Sequence, residues 1–217
     1  MSTVTIVGAS RGIGLELARQ YLADGWRVHA TTRALDQPGA LGKLSGDLTL
    51  HGLDVRDAAQ IDALRQSLAG EGIDVLIHNA GVYGTGMPRD EVMSINADAP
   101  VRVVGALLDA VQRGEDKKIL LMTSQLGARR GSNRDLGSYG ESKAALNDKF
   151  RELAPAWETV GITAVVMHPG WVRTDMGGAG ASLSPGESAA GIRNVIAGLQ
   201  AKDHGRFLTW DGREHPW

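Results

Sequence analysis

The chain has 217 residues, a formal net charge of −2 and no cysteine. That length can bury one sizeable core; without cysteine there are no disulfides, thiolate metal sites or cysteine nucleophile, and without a Lys/Arg-rich run there is no electrostatic footprint for nucleic acid or an anionic membrane. No basic-then-apolar leader opens the chain and no apolar run approaches the ~18 residues of a membrane span, so a soluble cytoplasmic protein is expected.

Residues 4–7 form a short apolar run that predicts a buried strand. Residues 12–24 carry Ile13, Leu17 and Tyr21 at helical spacing, and Gly25 ends that helix. Strands are expected over 26–32 and 48–53, then a helix over 57–68 with Asp57 near its start. Residues 73–77 predict a fourth strand, closed by His78-Asn79-Ala80-Gly81. A long helix is expected over 89–112, kinked or split by Pro100. A fifth strand follows over 118–123, a polar Gly-rich loop over 127–137, and a helix over 139–160 that Pro155 should disturb. Residues 162–167 predict a sixth strand, 177–186 a mobile Gly/Ser-rich segment, 188–199 a last helix and 206–210 a possible seventh strand. Strand and helix alternate throughout, with no internal repeat and no linker, which implies one α/β unit: a parallel sheet covered by helices on both faces. Ligands bind such sheets beyond the carboxyl ends of the strands, where Gly8, Arg33, Asn79, Ser124 and Pro169 fall.

The first strand runs into Gly8-Ala9-Ser10-Arg11-Gly12-Ile13-Gly14. Glycines permit a tight turn and let backbone approach a pyrophosphate, which the helix N-terminus attracts. An acid that would bind a ribose 2′-hydroxyl usually ends the second strand; here that end reads His29-Ala30-Thr31-Thr32-Arg33. Arg33, with Arg11 in the glycine loop, suits a 2′-phosphate, so NADP(H) is expected over NAD(H). Asp54, followed by Val55, can accept from an adenine amine or serve as a simple turn aspartate.

Tyr139 and Lys143 are four apart, on one helix face. A free phenol, at ~10, is too weakly acidic to act as a base near neutrality. One positive charge about 5 Å away contributes roughly 3 kcal/mol at an effective dielectric of ~20, or about two pKa units. Lys143 and an oxidised nicotinamide can therefore draw the phenol toward the working range. Ser124 can donate to a substrate carbonyl and hold it near Tyr139. Asn96 can hold a water leading to Lys143 or be an ordinary surface asparagine.

In this order the residues resemble the short-chain dehydrogenase/reductase family along the whole chain. The family's Thr-Gly-x-x-x-Gly-x-Gly pattern appears with Val7 in place of threonine, and its Asn-Asn-Ala-Gly motif as His78-Asn79-Ala80-Gly81. The resemblance implies a Rossmann-type, doubly wound, seven-stranded parallel sheet and a tetrad of Asn96, Ser124, Tyr139 and Lys143. It also implies cofactor contacts from Ser10, Gly12, Ile13, Gly14, Asn79, Ala80, Gly81 and the Pro169-Gly170 turn, with Val172 and Thr174 at the nicotinamide carboxamide. Short length, Thr174-Asp175-Met176-Gly177-Gly178 and the ending Pro216-Trp217 are similar to C-factor- and Sniffer-type carbonyl reductases. By this resemblance the partner is a small carbonyl or alcohol substrate and the assembly a homodimer or homotetramer.

The six histidines are expected to be packed or hydrogen-bonded and not metal ligands. Trp171, Met176 and residues 177–186 either line a substrate pocket under a lid or form a plain surface loop. Arg129, Arg130, Asn133 and Arg134 either favour an anionic substrate or face water. Two other readings stand beside the reductase: an NADP(H)-binding regulator without catalysis, which has no need of Ser124, Tyr139 and Lys143 together, and sugar-nucleotide chemistry, for which the C-terminal stretch is short.

Overall fold

The computed structural model describes residues 1–129 and 137–217. Seven parallel strands form one sheet: β1 (Thr3–Val7), β2 (Arg27–Thr32), β3 (Leu48–Gly52), β4 (Val75–His78), β5 (Lys118–Met122), β6 (Thr163–His168) and β7 (Phe207–Thr209), in the order β3-β2-β1-β4-β5-β6-β7. The chain winds outward from β1 to β3, returns to lay β4 against the other side of β1, and winds outward again. The β1/β4 boundary is therefore the switch point where a crevice opens.

Buried on both faces, the strands divide their side chains by alternation. Val75, Ile77, Leu120, Met122, Val165 and Met167 pack on one face, with α1 (Gly12–Ala23) and α6 (Pro185–Gly198). Leu76, Ile119, Leu121, Ala164 and Val166 pack on the other, with α2 (Ala58–Ser67), α4 (Ala99–Arg113) and α5 (Gly137–Glu158). Trp217 packs against Phe150 and Phe207 at the end of that second layer. Asp57 caps α2 through the backbone amides of Ala59 and Gln60, and Ser184 with Glu187 forms a capping box for α6, so that helix starts three residues before the expected Ser188.

The split expected at Pro100 is present in the turn just before it, and the disturbance expected at Pro155 is corrected. The long helix is divided by a π-helical turn at Ser94–Asp98, between α3 (Arg89–Met93) and α4. Pro100 follows that turn directly, in the first turn of α4, and the carbonyl four residues before it, on Asn96, belongs to the π turn, so the looser turn takes up the proline. Pro155 lies inside α5, which continues through it to Glu158. Residues 177–186, expected to be mobile, are tied to the body by a Val172–Leu183 bridge, and Pro185 and Gly186 already belong to α6. Within the loop before Tyr139, residues 130–136, including Arg130, Asn133 and Arg134, lie outside the described residues, and Arg129 is ion-paired to Asp148.

Candidate active site

The crevice at the β1/β4 switch holds a cleft of about 440 Å³. Its floor is backbone. The amides of Asn79 and Ala80 both donate to the Val7 carbonyl at 2.9 Å, and Asn79 Nδ2 donates to the Gly8 carbonyl at 2.8 Å. A Cβ on Gly8 would lie 2.7 Å from Ala80 Cα, and one on Gly14 would lie 2.1 Å from the Gly8 carbonyl oxygen. The glycines are thus required by close approach of strand, helix and the Asn79–Gly81 turn. Gly8, Ser10, Gly12 and Ile13 face the cleft with Asn79, Ala80 and Gly81; Gly14 supports them from behind.

The N-terminus of α1 opens into this floor. No side chain caps it and no acid occupies its first turn, so its amides and positive end of the dipole face the cleft. A helix end left open beside a glycine cradle fits a dinucleotide pyrophosphate.

At the β2 end, Thr31 Oγ1 accepts from the Gly8 amide at 3.0 Å, and Thr32 and Arg33 line the cleft. Arg33 makes no ion pair or hydrogen bond with the described residues. Arg11 reaches across to Asp175, at 2.8 Å, with both side chains largely exposed. Asp54 and Val55 also line the cleft, but both Asp54 oxygens accept from the Arg56 guanidinium, at 3.0 and 2.7 Å, and Oδ1 also from the Arg56 amide at 3.0 Å. That turn, more than any open acceptor, is the role its geometry displays; the Arg56 hydrogen bonds hold the Asp54 carboxyl down to about 2.

The opposite wall comes from β5, α5 and the turn after β4. Tyr139 and Lys143 both line it. The Ser124 hydroxyl accepts from the Leu126 amide at 3.2 Å and is near enough to the Tyr139 phenol to act on its acidity. The Lys143 ammonium donates to the Met122 carbonyl at 2.9 Å and lies 5.9 Å from the Tyr139 ring centroid. Burial brings Lys143 down to about 8. The same burial raises the Tyr139 phenol, against Ser124, which lowers it. The lowering expected from the sequence needs Lys143 together with an oxidised nicotinamide. From the protein alone desolvation prevails, and Tyr83, 5.0 Å away between ring centroids, adds to it.

Asn96 is fully buried and so is no surface residue. It sits in the π turn, where its Oδ1 accepts from the Val82 amide at 2.9 Å and its Nδ2 donates to the Val82 carbonyl at 2.8 Å and to Ser142 Oγ at 2.9 Å. Its side chain clamps the turn that carries Gly81, whose notional Cβ would meet Asn96 Oδ1 at 3.1 Å and Lys143 Nζ at 3.4 Å. Beyond β6, Pro169 and Thr174 line the cleft; Gly170 and Val172 lie behind them. A Gly170 side chain would strike Leu183 and Trp210, and Val172 is buried and bridged to Leu183.

Sequence reasoning missed Tyr83, Ser142 and Asp175. Ser142 Oγ donates to the Tyr139 carbonyl at 2.7 Å, a placement its three-residue spacing from Tyr139 could have suggested. Nothing local marks Tyr83. His29 and His51 do meet, Nδ1 to Nε2 at 3.1 Å, but the described residues contain no cluster of three potential metal ligands. No helix among them is long and apolar enough to cross a membrane.

A doubly wound sheet with an open glycine-loop helix facing a Ser-Tyr-Lys wall defines a short chain dehydrogenase, and the chain belongs to that family, whose sequence profile it matches over residues 2–182. Among its relatives, C-signal of Myxococcus xanthus is 39% identical over 155 residues, covering 67% of this chain and 93% of the relative. Two solved structures superpose along the whole chain: the NADPH-bound carbonyl reductase from chicken fatty liver, 32% identical with a TM-score of 0.89 and 99% of that chain covered, and the carbonyl reductase Sniffer of D. melanogaster, 28% identical with a TM-score of 0.89 and 100% covered.

Proposed function

We propose that the chain is an NADP(H)-dependent oxidoreductase that interconverts a carbonyl compound and a secondary alcohol, with Tyr139 as the general acid and base. The observation that carries this reading is Tyr139 beside buried Lys143, with Ser124 near the phenol, in one cleft with an open glycine-loop helix and two arginines. Solved neighbours that hold NADPH or NADP support the choice of cofactor.

When bound, the nicotinamide supplies or accepts the hydride. Ser124 turns its hydroxyl to the substrate oxygen and fixes it within reach of the phenol. In the reductive direction Tyr139 donates its proton to the oxygen as negative charge develops there, and the phenolate left behind faces the Lys143 ammonium. A phenol raised by burial is protonated near neutrality, the form reduction needs. In the oxidative direction Tyr139 would have to take the proton as a phenolate, which Lys143 and a cationic nicotinamide, were one bound, would favour. Asn96 and Ser142 position this wall, and residues 171–187 with Trp171 and Met176 border the substrate side as a short loop of the one dinucleotide-binding domain.

The test is titration of the purified protein with NADPH and NADH by fluorescence, followed by NADPH oxidation with a panel of ketones, aldehydes and quinones. Tighter NADPH binding and turnover of any panel member are expected. Equal binding of both nucleotides would remove the phosphate argument, and tight NADPH binding with no turnover across the panel would remove the reductase.

A further inference from the structure

We infer that Asp175 is a specificity-setting residue: its carboxylate, paired with Arg11, competes with the cofactor's 2′-phosphate for that guanidinium, and NADP(H) binds by displacing it. The inference rests on the cofactor reading above and extends it to a residue on the opposite lip of the cleft.

The two lips come from opposite ends of the chain and meet directly. A Cβ on Gly12 would lie 3.1 Å from Thr174 Cγ2, and beside that contact Arg11 Nη1 donates to Asp175 Oδ2 at 2.8 Å. The pair therefore spans the mouth of the cleft between the glycine loop and the turn after β6. Arg11 is the movable member, a long side chain on an exposed loop. Asp175 is the fixed one. Its turn is closed by Gly178 N to the Thr174 carbonyl at 2.9 Å and Gly177 N to Thr174 Oγ1 at 3.2 Å. It is anchored by Arg173 N to the Leu183 carbonyl at 2.8 Å. Gly177 fits so closely that a Cβ there would lie 2.0 Å from the Val172 carbonyl oxygen.

The strength of the pair suits displacement. With side chains 73% and 75% exposed, it is a solvent-screened ion pair that holds the guanidinium weakly. A phosphate offers a larger negative charge and bidentate acceptors to the same planar fork, with Arg33, unpaired among the described residues, on the same cleft to share it. A cofactor without the phosphate has no reason to break the pair. Asp175 thus taxes NADP(H) binding and leaves NAD(H) binding nearly untouched, which narrows the preference that Arg11 and Arg33 create. Exchange is a side-chain rotation and requires no opening of the turn.

The experiment compares wild type, Asp175→Asn, Arg11→Ala and the double variant by fluorescence titration with NADPH and with NADH at fixed ionic strength. Asp175→Asn is expected to tighten NADPH about two- to fivefold, the scale of a surface ion pair, to leave NADH within error, and to have no effect when Arg11 is already alanine. Asp175→Asn binding NADPH more weakly, or shifting NADPH and NADH alike, would overturn the inference, since the pair would then be a clasp over the bound cofactor or a general influence on the loop. Arg11→Ala separates the two levels. If it erases the NADPH preference while Asp175→Asn changes nothing, only the displacement is overturned; if it leaves the preference intact, Arg11 does not read the phosphate and the inference falls with that assignment.

Discussion

The two walls of the cleft are built from different materials. On the cofactor side the working groups are backbone: the uncapped amides of α1, the Gly8 and Val7 carbonyls, and glycines at which a Cβ would lie well inside contact distance. On the catalytic side they are side chains taken out of water, with Asn96 0%, Ser142 0% and Lys143 4% exposed. Backbone sites depend on shape and tolerate no added atom. Side-chain sites depend on charge held at a cost in solvation, and removal of that charge relaxes the cost.

The comparison makes opposite predictions for the two walls. On the backbone wall, Gly14→Ala places a methyl 2.1 Å from the Gly8 carbonyl oxygen and 2.7 Å from Asn79 Nδ2. It is expected to lower stability by about 1–3 kcal/mol, read as a fall in Tm of roughly 3–10 °C, with NADPH binding lost. An unchanged Tm would show that the loop gives way freely.

On the side-chain wall, Lys143→Met is expected to abolish turnover and yet raise stability. Folded Lys143 sits at about 8 against an unfolded 10.5, so at pH 7 a charge is buried at a cost on the order of 1–3 kcal/mol, partly offset by its bond to Met122. The sign follows: wild-type stability should climb as pH rises from about 8 toward 10.5, where only the unfolded chain still binds the proton, and Lys143→Met should lose that climb. A lower Tm at pH 7, with the alkaline climb retained, would contradict it.

A smaller effect belongs to His78, fully buried on β4 with no hydrogen-bond partner for Nε2 among the described residues. Burial holds it down at about 3, and His51 and His168 at about 4, against 6.5 unfolded. Below 6.5 the unfolded chain takes up protons that the folded chain refuses, so stability should fall with pH from about 6.5 toward 4. His78→Asn should flatten that fall by about one proton, near 1.4 kcal/mol per pH unit, in urea melts between pH 6 and 4.5. An identical slope would place the acid sensitivity elsewhere.

The same contrast governs what the sequence could reveal. The alternation of strand and helix, the glycine loop and the Asp57 cap are local patterns, and the structure has them where periodicity and turn chemistry put them. Of the π turn at Ser94–Asp98 only Pro100, just after it, gives a local sign, and that sign tells of a break but not of its π geometry. That Tyr139 and Lys143 share one wall of the cleft was legible by type and spacing, but their electrostatics were not. The elevated phenol of Tyr139 depends on its burial and on Tyr83, 56 positions earlier in the chain. Arg11 looked like an open cation because its partner stands 164 residues away. Asp54 is the exception: Arg56 is two residues on, and the turn it makes was within reach of a local reading.

The central claim is that Tyr139 moves the proton in a reaction driven by NADP(H), and the most direct measurement is NADPH oxidation by wild type and Tyr139→Phe over the same carbonyl panel, with NADPH affinity measured on both. The account predicts a fall in turnover of about 10²- to 10⁴-fold with NADPH affinity essentially unchanged. Full turnover by Tyr139→Phe would contradict it.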